Sequence, residues 1–549
     1  MNRRRVLWKA PLGLTHARST PLNQSQHAAL DGLKWDVELI CGPPATGKST
    51  TIHALAIECV EPDDVVLICA VQNRAIEALA DKFKATGTAF VTIGRGVIGT
   101  AAEYTLEQQL ERNLNAYPEV VAAREALQAA IEEYAETQGP ETQGLVSAAR
   151  ARVQTAEFKA YCDISGKAKA LLCTTASVAG ATHDLRLAEL FKSVRTACID
   201  EAGSTTDRHV LMIIECCDDV QKLALMGDTR QLPVFTTLSD KDAGISLLMR
   251  LEQQIESIML TLQYRMPLSL AAVVSHCFYG GRLLSGFTTP RPDFDDPNAL
   301  RFIRVAGEAT PERNGTSMVN EMEAKATADA ANSLARLSRT QRVVVLCVYK
   351  AQMRRVRELL MEANAEALTV DSAQGREWDH VILTLVSSDP KRLGFVRDRR
   401  RQCVALSRAM RTMTLVAHPD VVKELPAMKV LCKAAEGVLP STSGITSGSK
   451  RKRDTSPASH GGASSTVKSP CGMTNFCTSC GTKRAGPFCG RCGKQFDGTE
   501  CGRGPGMGRG KGEGEGKGKG NEKGKSRGSG RGKGKGKGKG KGNGNKKGK

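Results

Sequence analysis

No stretch of the 549-residue chain holds the roughly 18 consecutive apolar residues that a membrane-spanning helix needs, so no membrane partner is expected. Met1 to Leu30 lacks any acidic residue while carrying several arginines. That composition resembles an organelle transit peptide, but a functional motif begins near Leu22, which argues against import. At the other end, Gly502 to Lys549 lacks both the apolar residues that would build a core and the aromatic rings that would stack on bases. Such a segment cannot offset the entropy lost on ordering, and disorder is expected.

What that tail has instead is charge. Its 17 Lys and Arg against three Glu give a net +14 of the chain's formal +20, leaving +6 for Met1 to Cys501. Lysine alternating with glycine on a flexible backbone binds phosphate without reading sequence and with strong salt dependence. A polyanion, most often nucleic acid, is the expected partner. Most of the 18 cysteines stand singly in apolar runs, as at Cys69, Cys173, Cys198 and Cys347. There they serve as small hydrophobes in a reducing compartment. The length allows two or three domains.

The strongest local signal is Gly42-Pro43-Pro44-Ala45-Thr46-Gly47-Lys48-Ser49, which fits G-x-x-x-x-G-K-[ST]. The apolar run Val37 to Cys41 before it reads as a strand, and Thr50 to Cys59 after it reads as a helix. That is the context a phosphate-binding loop requires. Glycines let backbone N–H groups turn inward around phosphates. Lys48 supplies a point charge for the β- and γ-phosphates of ATP, and Ser49 a hydroxyl for Mg²⁺.

Further strands follow at Val65 to Cys69 and Ala170 to Thr175, alternating with helical patterns as in a parallel α/β sheet. Ala101 to Tyr161 interrupts them as a helical insertion, with breaks expected at Pro140 and Gly144 and a last helix over Val146 to Phe158. The strand Ala197 to Ile199 ends in Asp200-Glu201. Asp200 is placed to hold Mg²⁺ through its water shell and Glu201 to orient or deprotonate an attacking water. Leu223 to Gly227 ends in Asp228-Thr229-Arg230-Gln231, and the neutral amide of Gln231 suits sensing of a γ-phosphate.

In order along the chain, Asp200-Glu201-Ala202-Gly203, Gly227-Asp228-x-x-Gln231-Leu232-Pro233, Leu262 to Met266, Thr369 to Asp379 and Val404 to Ala409 resemble motifs II to VI of superfamily 1 helicases. With Leu22 to Gln26 and the phosphate loop, the set is similar to the superfamily 1B helicases of the nonsense-mediated-decay (up-frameshift-like) type. The resemblance covers about Leu22 to Asp420. It implies an ATP hydrolase that moves 5′ to 3′ on single-stranded RNA or DNA. By the same resemblance Gln26 reads adenine, Tyr264 stacks beside it, residues 42–50 with Thr50 wrap the phosphates, and Arg265 and Arg408 are arginine fingers. Gly375 and Glu377 couple the nucleotide to the second domain, while Asn73, Thr174, Thr175 and Ser372 lie along the nucleic-acid strand. Three positions depart from the family: Ala45 stands for its usual Gly, Val234 for a Pro, and Pro267 follows Met266 without the usual His. Founding members carry a β-barrel before the motif at Leu22 to Gln26, where about twenty residues precede it here. A nucleic-acid-binding ATPase clamp or scaffold without unwinding is the alternative reading.

The expected fold class is α/β, with two tandem RecA-like domains at 22–256 and 257–425 after an N-terminal extension 1–21. A flexible linker is expected at 426–470. It contains Lys450-Arg451-Lys452-Arg453, an exposed basic cluster readable as a nuclear address. The expected localisation is therefore nuclear, or shuttling between nucleus and cytoplasm. Within 471–501, Cys477-x-x-Cys480 and Cys489-x-x-Cys492 resemble a zinc ribbon, with four thiolates able to close a tetrahedral Zn²⁺ site. A protein partner for that module is possible. The basic tail fills 502–549.

Overall fold

The computed structural model describes residues 21–438 apart from 182–187, 218, 237–243, 287–295, 297 and 313–314. Strands β1 (Val37–Cys41), β2 (Val65–Ala70), β3 (Phe90–Ile93), β4 (Ala170–Thr174), β5 (Val194–Ile199), β6 (Lys222–Gly227) and β7 (Ile258–Met259) form one sheet. Its order is β3-β4-β2-β5-β6-β1-β7, and its pairings are parallel. A parallel sheet is covered on both faces, so its strands read as continuous apolar runs. In β2, Val65, Leu67 and Cys69 enter one core, while Val66, Ile68 and Ala70 enter the other. Helices α1 (Gln24–Asp31), α2 (Lys48–Glu58) and α3 (Asn73–Ala85) cover that second face through Leu30, Leu55, Ile76 and Phe83.

The insertion comprises α4 (Gly99–Glu103), α5 (Leu106–Arg112), α6 (Pro118–Thr137) and α7 (Pro140–Lys167). It differs from the sequence expectation of a break at Pro140 and Gly144. Pro140 occupies the first turn of a 28-residue helix, where a missing N–H costs nothing. Gly144 inside that helix costs about 1 kcal/mol, which packing of α7 along α6 offsets. Arg124 on α6 binds both Glu111 and Glu157, each at 2.7 Å. The insertion's own core is small, centred on Leu110, Val120 and Ala160. A further helix, α8 (Thr175–Ala181), follows β4.

After β7, the short strands β8 (Leu262–Gln263) and β9 (Leu284–Ser285) pair in parallel. The second sheet is built from β10 (Leu300–Arg304), β13 (Val343–Cys347), β14 (Ala365–Thr369), β15 (Trp378–Thr384) and β16 (Ala409–Ala417), in the order β10-β16-β15-β13-β14. Between β10 and β13 lies the antiparallel pair β11 (Thr310–Pro311) and β12 (Met318–Val319). The two domains repeat one design. Strands β2 and β13 each lead into a helix whose N-cap, Gln72 or Tyr349, has nearly the same backbone angles, φ −116° and ψ 138° against −118° and 141°.

The linker expected from 426 does not begin there. Pro426–Ala435 is a helix, and its Met428, Leu431 and Ala434 enter the core of the second domain. Apolar residues at three- and four-residue spacing close one helical face there, starting on a proline at its first turn. Cys477, Cys480, Cys489 and Cys492, the basic cluster at 450–453 and the tail lie outside the described residues.

Candidate nucleotide site

The strand order places β5, β6 and β1 side by side, so their C-terminal ends open together. Cys41 is in register with Gly227 and Ile199 with Leu225. The phosphate loop leaves β1, Asp200-Glu201 leaves β5 and Asp228 to Gln231 leaves β6, all at one edge. Two residues of the loop take left-handed backbone, Ala45 at φ 59° and Gly47 at φ 80°. Gly42 is crowded by the stem of Lys48, with no room for a side chain. The Lys48 ammonium donates to Gly42 O at 3.2 Å and faces Glu201 Oε1 at 3.5 Å. Glu201 is also left-handed, at φ 54°, and its N–H donates to Asp200 Oδ1 at 2.8 Å.

A cleft of about 500 Å³ lies between the two sheets. Residues 44–50 line it together with Asp200, Glu201 and Gln231 from the first domain. Tyr264, Arg265, Gly375, Glu377 and Arg408 line it from the other side. Six residues predicted as catalytic thus meet around one space. Arg265 donates to Glu377 Oε2 at 2.6 Å and to Ser407 O at 3.0 Å. The buried Arg408 guanidinium reaches across to Gln231 Oε1 at 3.0 Å, and Gln231 Nε2 donates in turn to Asp228 Oδ2 at 2.8 Å.

The electrostatics are those of a site built for a polyanion and a cation. Burial raises the Asp200 carboxyl to about 6, helped by the Glu201 charge and opposed by Lys48. Burial acts to lower the Lys48 ammonium, but Glu201, Asp200 and Asp228 outweigh it and hold it above its usual value. Arg408 is lowered to about 10, by burial and by the neighbouring Arg265. The Ser49 hydroxyl and the Asp200 carboxylate are hard oxygen donors that fit Mg²⁺, and the raised Asp200 marks a buried anion that a divalent cation would stabilise.

Several predicted residues sit differently. Gln26 does not line the cleft. Its Nε2 donates to Thr46 O at 3.2 Å and to Gly47 O at 3.4 Å, and its Oε1 accepts from Asn23 N. Both ends of that amide brace the phosphate loop and the start of α1 as a capping box. Gly42 and Pro43 shape the loop without lining the cleft; Pro43 O accepts from Thr46 Oγ1 at 2.8 Å. Thr175 is buried at 2% exposure, because the first residue of α8 turns inward. Asn73 donates to Gly96 O at 2.7 Å. Thr174 and Thr369 lie at matching places in the two sheets, each ending its strand and meeting a serine three residues on: Thr174 Oγ1 meets Ser177 Oγ at 2.9 Å after β4, and Thr369 Oγ1 meets Ser372 Oγ at 2.8 Å after β14.

Sequence reading overlooked Arg74 and Lys82, which line the cleft from α3. Their eight-residue separation, with Ala78 between, marks one helical face and was a usable signal. It also passed over Tyr279, which contacts Asp228 from the second domain; no local pattern marks that residue.

Residues 21–239 match a family described as AAA domain, and residues 243–420 match a second family with the same description. Together the two matched segments span both sheets. Among curated proteins, the chain is 30% identical over 434 residues to the regulator of nonsense transcripts 1 homolog of Arabidopsis thaliana, covering 74% of this chain and 33% of that protein. It is 30% identical over 446 residues to regulator of nonsense transcripts 1 of Caenorhabditis elegans, covering 75% and 39%. It is 29% identical over 427 residues to the ATP-dependent helicase NAM7 of Saccharomyces cerevisiae, covering 72% and 42%. The chain therefore spans between a third and under half the length of these relatives.

Proposed function

We propose that the protein is an ATP-dependent nucleic-acid helicase or translocase of superfamily 1B, moving 5′ to 3′ on single-stranded RNA or DNA. One observation carries this reading: Lys48, Asp200, Glu201, Gln231, Arg265 and Arg408, drawn from two domains, line one cleft. The yeast relative, an ATP-dependent helicase, supports it. ATP seats its phosphates on the loop 42–50 and beside Lys48. Ser49 and Asp200 would hold Mg²⁺, which when bound would supply neutralisation of phosphate charge. Glu201 accepts the proton of the attacking water, while Arg265 and Arg408 stabilise the charge that spreads over the phosphoryl oxygens. Domain closure and opening around this joint move the strand.

In the same proposal the basic tail adds sequence-independent grip, the four cysteines Cys477, Cys480, Cys489 and Cys492 bind Zn²⁺ and present a surface to a protein partner, and Lys450 to Arg453 direct the chain to the nucleus. The test is ATPase rate with and without single-stranded RNA or DNA, in the wild type and in Glu201→Gln. Stimulation by a strand is expected, together with a fall of about 100-fold or more in turnover of the variant and retained ATP binding. Hydrolysis indifferent to nucleic acid would overturn the translocase in favour of a clamp.

A further inference from the structure

Helix α3 buries Ile76, Leu79, Ala80 and Phe83, at the spacing that packs one helical face onto a sheet. Another face carries Arg74, Ala75, Ala78 and Lys82, and these four line the nucleotide cleft together with Ser49 and Thr50. Gln72, just before α3, meets the second domain: its Oε1 lies 3.7 Å from where a Cβ on Gly375 would stand. Arg74 therefore stands near the joint, and Lys82 follows two helical turns on, about 12 Å along the axis. The charges of the cleft do not balance. Its lining holds five cations, Lys48, Arg74, Lys82, Arg265 and Arg408, against three carboxylates, Asp200, Glu201 and Glu377. Glu201 faces Lys48 at 3.5 Å, and Glu377 holds Arg265 at 2.6 Å. The Arg408 guanidinium is taken up by Gln231. Arg74 and Lys82 are exposed, and their side chains make neither hydrogen bond nor ion pair among the described residues.

We infer that Arg74 and Lys82 bind the phosphate chain of the nucleotide and favour the triphosphate over the diphosphate. The inference rests on the proposed ATP hydrolase and adds two binding residues to its cleft. A cleft with surplus positive charge attracts an anionic ligand, and low-dielectric walls focus that attraction. Glu377, the carboxylate on the facing wall, is committed to Arg265 and does not compete for the two cations. Attraction grows with the charge of the ligand. Cleavage removes the γ-phosphoryl group and its charge, so the same two cations hold the diphosphate product less tightly than the substrate. Product release after each turnover is thereby favoured. Both side chains are long and exposed, and they act on the ligand as a whole and not on the charge that develops during cleavage. Their effect therefore falls on binding, and the chemical step is left to Lys48, Arg265 and Arg408.

The experiment uses the full chain, Mg²⁺ and two probes, ADP and the non-hydrolysable β,γ-imido analogue of ATP. Dissociation constants are measured for the wild type, Arg74→Gln, Lys82→Gln and the double variant. Glutamine keeps the helix propensity of the residues it replaces, so melting temperatures are expected to stay level. Each single variant is expected to weaken the analogue about threefold, and the double variant about tenfold. ADP is expected to weaken less, by about threefold in the double variant. The difference between the probes is expected to shrink between about 50 mM and about 0.3 M salt, because exposed charges are screened. In ATP hydrolysis the same loss is expected in KM, with kcat within about twofold. Wild-type affinity for both probes in the double variant would overturn the inference, and equal losses for the two probes would overturn the preference for the triphosphate. If strand-stimulated hydrolysis persists in those cases, the cation wall alone has failed. If the losses appear as expected but hydrolysis ignores a strand, the inference stands and the translocase reading has failed.

Discussion

The Tyr279 hydroxyl donates to Asp228 Oδ2 at 2.6 Å across the joint between the two domains. Tyr279 ends the helix Leu268–Tyr279 and belongs to the second core, whereas Asp228 follows β6 of the first sheet. Asp228 also holds Gln231, and Gln231 holds Arg408. The relay thus runs from one domain into the other and back, through Gln231 and Arg408, which line the cleft.

Tyr279→Phe removes the hydroxyl and keeps the ring. A hydrogen bond to a buried carboxylate is worth about 1.5–3 kcal/mol, so stability is expected to fall by about that amount. Gln231 loses part of its support, and ATP turnover is expected to drop about tenfold with nucleotide affinity within about twofold. Separate measurement of kcat and of the ATP dissociation constant checks this; an unchanged kcat would remove Tyr279 from the relay.

Ala45 carries a left-handed backbone at φ 59°, where a Cβ costs roughly 1–2 kcal/mol. Its carbonyl accepts from Tyr264 N at 3.0 Å, so the strained residue also ties the loop to the entry of the second domain. Ala45→Gly relieves the strain at some cost in unfolded-chain entropy. The expected net gain is about 0.5–1 kcal/mol, read as a rise in melting temperature. A lower melting temperature would show that the methyl group contributes more by packing than it costs in backbone strain.

The Asp200 carboxyl is raised to about 6 by burial and by Glu201. Mg²⁺ binds the ionised form, so its affinity is expected to be level above about pH 6 and to fall by up to about tenfold for each pH unit below. Mg²⁺ titrations of ATP hydrolysis at pH 5 and pH 7 measure this. A flat profile would mean that Asp200 is already ionised well below that range.

Glu323 is fully buried in the second domain and is raised to about 7 by burial, against hydrogen bonds from Thr384 and Val386. A carboxyl whose folded value lies above its unfolded one keeps its proton longer in the folded state. Stability is therefore expected to decline as pH rises from about 4.5 to 7, by roughly 3 kcal/mol, and to level off above. Glu323→Gln keeps the acceptor for Thr384 and for Val386 N, a residue held at φ 69°. Denaturant titrations across this range are expected to show a flatter profile for the variant; parallel profiles would place the pH dependence in another group.

Much of the site was legible in the chain itself. A phosphate loop needs particular residues at fixed spacing, because backbone N–H groups, an ammonium and a hydroxyl must all reach one phosphate chain. Apolar runs ending in Asp200-Glu201 or in Asp228 to Gln231 mark strand ends by the same local logic. Period and composition likewise separated the helical insertion from the sheet. Those are short-range properties, and the sequence alone determined them.

Other features depend on which strands become neighbours. The order β5-β6-β1, which brings three loops to one edge, leaves no trace in any single stretch. The unbroken course of α7 through Gly144 depends on α6 lying beside it. Gln26 braces the phosphate loop because the loop's carbonyls lie within its reach, and Thr175 turned inward with the first turn of α8. Tyr279 met Asp228 across 51 residues only because the two domains share a joint. Contacts between distant segments are set by packing over the whole molecule, and the tertiary structure alone decided them.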